Sequence, residues 1–152
     1  MFLKEEILQL ESSIIKYEQT NLKVSFGSVG WQIDHSLRVI IGIVKMMEES
    51  NPSEYSWSLN FRRIFIFWLG IIPRGKVKAP NRVVAQNPIT KDTLDRLLIT
   101  TKNILEEVFP KLEKHNFFVH FLLGKLNVKS TKRFLKIHTK HHLKIIEDII
   151  TS

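Results

Sequence analysis

Three of the six histidines fall within five residues of one another, in the stretch RFLKIHTKHH at 133–142. His138 and His142 are four apart, so on a helix they stack one turn above the other on a single face. Phe134, Ile145 and Ile149 share that face, so both rings are expected to point inward. Lys136, Lys140 and Lys144 then project elsewhere, and His141 sits on the flank. An i, i+4 histidine pair suits a metal ion, because both nitrogens can converge at the roughly 2.0–2.1 Å that zinc requires. A third imidazole from a neighbouring helix would complete an open site with positions left for water or substrate. The best donor is His35, in GWQIDHSL; His115 and His120 lie in a connector and are weaker donors. The competing reading of each ring is a neutral core histidine bonded to a carbonyl, and spacing alone does not decide between them.

The elements that must position these rings can be read from periodicity. Leu3, Ile7, Leu10, Ile14 and Tyr17 form one face of an amphipathic first helix. Two glycines interrupt the pattern, and Ser28 is a suitable N-cap for the next helix, which runs from Val29 to about Ser50. That helix is apolar over much of its circumference and is expected to be central. NPSEYS ends it, and a shorter helix over 57–70 stops at Gly70, ahead of Pro73. Residues 73–88 hold three prolines and four basic residues and read as an irregular arm. A third long helix starts at Thr90 with Leu94, Leu97, Thr101, Ile104 and Val108 on its stripe, and Pro110 marks its far end. KHNFFVHFLLGKLN connects it to the last helix, expected over roughly 130–150. No segment shows strand-and-turn alternation, and no repeat is evident. The expected fold class is all-α: one domain over 1–152, four long helices and a short inserted one in a bundle, with a basic arm between the second and third long helices.

A length of 152 residues suits one domain with a sizeable core. Charged residues make up 25% and hydrophobic ones 43%, as in ordinary globular proteins. The longest apolar run, IFIFWLGII, has nine residues, about half of a membrane-spanning helix, and MFLKEEILQL carries acids where an export signal needs an apolar stretch. The absence of cysteine removes disulfides, thiolate ligands and a cysteine nucleophile, and suits a cytoplasmic location. The formal charge is +8, and it is unevenly placed. From Tyr55 to Lys91 seven basic residues occur without one acid, a field that suits an anionic partner and equally a solvated basic surface kept for solubility.

WQIDHSL resembles the Trp-x-x-x-His-x-Leu signature on the second helix of DinB/YfiT-like proteins, a superfamily read as metalloenzymes. HTKHHLKII resembles the His-x-x-His-His run on the same superfamily's last helix. HFLLGKL is similar to the His-Pro-x-Phe-Gly-x-Leu element that precedes that helix in one uncharacterised branch. The three blocks come in the same order across nearly the whole chain. The resemblance implies a DinB-like four-helix bundle in which His35, His138 and His142 bind a divalent transition metal; nickel, zinc, iron and manganese all suit an imidazole-rich open site. Phe121 stands in place of the connector's proline, and Leu122 and Leu123 where aromatic residues are frequent. His120 is therefore expected beside the ligands rather than among them, together with His141.

Relatives of that type include thiol-dependent transferases and isomerases, so the resemblance implies transferase chemistry on a small-molecule substrate, or hydrolysis by a metal-activated water. A low-molecular-weight thiol would have to be a cosubstrate, since the chain has no cysteine. Arg74, Lys76 and Lys78 in the arm are candidates for neutralising carboxylates on such a substrate. The other expectation is a non-catalytic binding protein whose metal is structural. Its segment 55–91, rich in aromatic and basic residues, would contact a membrane surface, a protein partner such as a second copy, or, less favoured, nucleic acid. Neither His-Glu-x-x-His, a phosphate-cradling glycine loop nor a dinucleotide fingerprint is present.

Overall fold

The computed structural model describes residues 1–73 and 88–152. Among these, the fold is mainly helical: α1 (Lys4–Ser13), α2 (Val29–Glu48), α3 (Phe61–Leu69), α4 (Lys91–Asn103) and α5 (Val128–Thr151), with one two-stranded hairpin, β1 (Phe117–His120) and β2 (Gly124–Asn127). The arm expected over 73–88, with Arg74, Lys76 and Lys78, lies almost wholly outside the described residues.

Polar side chains set the helix starts. Ser28 accepts a hydrogen bond from the Trp31 amide, Thr90 from Thr93 and Asn127 from Ser130, so three of the first-turn donors that no helix can satisfy internally find partners. α5 therefore begins at Val128, two residues before its expected start. α3 is shorter than expected: Asn60 accepts from the Arg63 amide, and the residues from Trp57 to Asn60 are not helical.

The core forms around α2, which packs on α4 and α5, while α1 lies against α5. Ile33, Leu37, Ile40 and Met47 of α2 meet Ile7 and Leu10 of α1, Leu94 of α4 and Leu135 of α5 in one buried cluster. Each such side chain contributes about 2 kcal/mol through the area it removes from water. The first helix keeps its expected stripe, with Leu3, Ile7, Leu10 and Ile14 all buried. On the third long helix the stripe is rotated: Leu94, Leu98, Thr101 and Leu105 are buried, whereas Leu97, Ile104 and Val108 are half-buried. Beyond Asn103 the helix widens by one residue per turn over Ile104–Val108, then tightens over Phe109–Lys111 at Pro110.

The hairpin corrects the all-helical expectation. Phe117 pairs with Asn127, Phe118 with Leu126, Val119 with Lys125 and His120 with Gly124. A strand that alternated strictly would send adjacent residues to opposite environments, but Phe117 and Phe118 are both buried. Lys125 lies over the Phe117 ring at 4.8 Å, and Phe118 faces Phe134 at 6.0 Å, so each side of the strand has its own cover. Gly124 closes the turn at φ 73°, where a side chain would be strained.

α3 packs Ile66 and Phe67 against the core yet buries an arginine and leaves most of its other apolar side chains outside. Arg63 is 6% exposed, while Phe61 and Trp68 are 76% and 77% exposed and Ile64 and Phe65 also face outward. The guanidinium donates to the backbone carbonyls of Leu123 at 3.3 Å, Lys125 at 3.2 Å and Ser58, binding α3 to the hairpin turn. Among the described residues no helix is long and apolar enough to cross a membrane.

Candidate metal centre

α2 and α5 lie side by side, and their contact brings three imidazoles together. His35 comes from the first half of α2, His138 and His142 from the middle of α5. One ring nitrogen from each lies within 4.8 Å of the others, close enough for all three to hold one ion. The ring centroids are 4.6 Å apart for His138 and His142, 4.7 Å for His35 and His142, and 5.3 Å for His35 and His138. Among the described residues this is the one cluster of three or more potential ligands so arranged.

Two features fix the rings. Trp31, one turn before His35, stacks on it with centroids 5.0 Å apart and planes only 3° from parallel. Gln32 brings its side-chain oxygen to 2.7 Å from Nδ1 of His142. Neither contact was expected from sequence. Gln32 is 1% exposed; a polar residue three before His35, on the same side of the helix, was the available signal.

Burial governs the electrostatics. It holds the pKa of His138 well below the usual imidazole value, and the neighbouring His35 pushes the same way. For His142 burial again acts first, followed by His138 and His35. His138 and His142 thus favour the neutral form, the state in which imidazole can donate a lone pair. Nδ1 of His138 is closed off from solvent without a hydrogen-bond partner. Buried polar atoms are nearly always paired, so such a nitrogen marks a position where a further group belongs. The donor set, its convergence and this orphaned atom all fit a divalent transition ion.

The other sequence candidates fall outside the triad. His141 packs edge-on against His142 with centroids 5.2 Å apart, on the flank as its position indicates. His120 stands beside Phe134, its Nδ1 accepting from the amides of Leu122 and Leu123 at 3.1 and 3.3 Å. It shapes the hairpin turn, and burial pushes its pKa down to about 4. His115 stacks on Tyr55, away from the cluster. Asp34 beside His35 is buried and accepts from Arg38 at 2.8 Å, one turn along the same helix.

Comparison with family models, curated proteins and solved structures finds no match to this chain.

Proposed function

We propose that this chain is a metal-dependent enzyme of the DinB/YfiT-like type, its helices arranged as that superfamily's four-helix bundle. His35, His138 and His142 hold one divalent transition ion, with nickel, zinc, iron and manganese as the candidates. The observation that carries this reading is the convergence of three imidazoles from two helices within 4.8 Å. When bound, such an ion lowers the pKa of a coordinated thiol or water toward neutrality. That chemistry serves a thiol-dependent transferase or a hydrolase acting on a small anionic substrate. The residues' own part is to keep the rings oriented and shielded: Trp31 covers His35, and Gln32 holds His142.

Elemental analysis of tag-free wild type, His142→Ala and His141→Ala tests this reading. About one equivalent of transition metal is expected in wild type and His141→Ala, and none in His142→Ala. A wild type that can be neither purified with metal nor loaded with it overturns the reading. Metal should leave on acidification as the ligands protonate, at a pH below the ordinary imidazole value because burial makes His138 and His142 resist protonation.

A second reading, a binding protein, is favoured by α3. Phe61, Phe65 and Trp68 face outward beside the exposed Arg62, the combination that seats an interfacial helix on an anionic membrane. Co-sedimentation with phosphatidylglycerol vesicles, but not phosphatidylcholine vesicles, and its loss in Phe61→Ser/Trp68→Ser are the results this reading requires. Failure of the wild type to sediment with either removes it.

A further inference from the structure

Gln32 has two distinguishable ends. Its Oε1 lies 2.7 Å from Nδ1 of His142, and its Nε2 donates to Ser25 Oγ at 3.1 Å. An amide oxygen only accepts, so Nδ1 of His142 must carry the hydrogen. A neutral imidazole has one N–H, which leaves the lone pair on Nε2. Ser25 is itself held, because its Oγ also accepts from the Gly27 amide at 3.1 Å.

Gly27 is small for a related reason. A Cβ there would lie 2.8 Å from Cε3 of Trp31 and 3.1 Å from Nε2 of Gln32. The Ser25–Gly27 loop thus lies under both side chains that fix the triad: the indole stacked on His35 and the amide bonded to His142.

We propose that Gln32, anchored by Ser25, is a positioning residue that locks His142 in its Nδ1–H tautomer and leaves Nε2 to ligate. The tautomer follows from the amide orientation in which Nε2 of Gln32 faces Ser25 and Oε1 faces His142; its consequence for metal affinity rests on the metal-centre reading above. With the amide reversed, its NH2 group would donate to Nδ1 and the imidazole hydrogen would sit on Nε2, which could not then ligate.

Long-range 15N–1H imidazole spectra of the metal-free full chain at pH 7.5 read the tautomer directly. Wild type should show His142 protonated at Nδ1. Gln32→Leu should shift it to Nε2–H or to a mixture, and Gln32→Glu, which still accepts, should restore Nδ1–H. Ser25→Ala, at a half-buried loop position, repeats the test without altering the core. In chelator competition with zinc, Gln32→Leu should bind about 10- to 100-fold more weakly than wild type, as the loss of a group that orients a ligating histidine does, with Gln32→Glu largely recovered.

An Nε2–H tautomer in wild type, or an Nδ1–H tautomer unmoved in Gln32→Leu and Ser25→Ala, overturns the proposal. Wild type with the lock in place but no zinc affinity sustains it and overturns the metal reading instead. Equal zinc affinity in wild type and Gln32→Leu overturns the positioning role while the metal reading stands.

Discussion

Arg63 on α3 and the imidazoles of His35, His138 and His142 are basic groups drawn out of water, and the two regions complete them differently. The guanidinium, always charged, is met by three backbone carbonyls from the hairpin turn and the segment before α3. A charge of that kind is tolerated inside only when its donors are paired. Burial instead turns His138 and His142 toward the neutral form, with one nitrogen left open at His138. A saturated set ties segments of chain together. An unsaturated set is ready for something from outside, and that contrast separates the brace from the site.

The largest effect should come from closing the open set. With zinc at a thousand times its dissociation constant, wild type should gain about 4 kcal/mol of stability in urea unfolding. His138→Phe should gain none, yet be at least as stable as wild type in chelator, because an apolar ring replaces a buried nitrogen without a partner. A metal-dependent gain that survives in His138→Phe breaks the comparison.

Arg63→Met attacks the saturated set. It deprives three carbonyls of their donor and should cost about 3 kcal/mol in the same measurement. The zinc-dependent gain should be unchanged, since α3 supplies none of the ligands.

The next effect is on pH. The unfolded chain takes up protons near pH 6.5 on His138 and His142, while the native rings resist them. Metal-free stability should therefore be fully present above about pH 6.5 and decline as pH falls below it, toward the lowered native values. These two groups should cost roughly 3 kcal/mol between pH 7.5 and 5.5, at about 1.4 kcal/mol per group per unit below pH 6.5. Urea unfolding of Arg63→Met should show the same slope, because the variant leaves His138 and His142 in place. A flat profile in wild type would mean that the rings are not held neutral by burial.

The smallest effect belongs to the outward face of α3. Phe65→Ser should change stability by no more than about 0.5 kcal/mol, as expected where a side chain already faces solvent.

These regions also differ in how far they could be read from sequence. The spacing of His138 and His142, together with Phe134, Ile145 and Ile149, placed both rings on the inward stripe of α5 without any structure. His35 needed more, because a lone histidine has many possible fates; sequence could rank it as the best third donor, and the packing of α2 on α5 is what brings it to the pair. Gln32 was not legible, since its partner lies 110 positions away. Arg63 was misleading in its setting, for an aromatic helix normally turns its apolar side to the core. What draws Arg63 inward is the set of carbonyls at the hairpin turn, and that turn was itself hidden because Phe117 and Phe118 are buried in succession.

The bond between Gln32 and His142 also has a meaning in time. Its two residues are 110 positions apart, so at about 5–20 residues per second a ribosome needs on the order of 5–20 s to make the second after the first. Throughout that interval α2, the most deeply buried helix, exists without the partner that covers its histidine face. The nascent chain must keep that helix from aggregating until α5 emerges, and no fragment lacking α5 can assemble the triad.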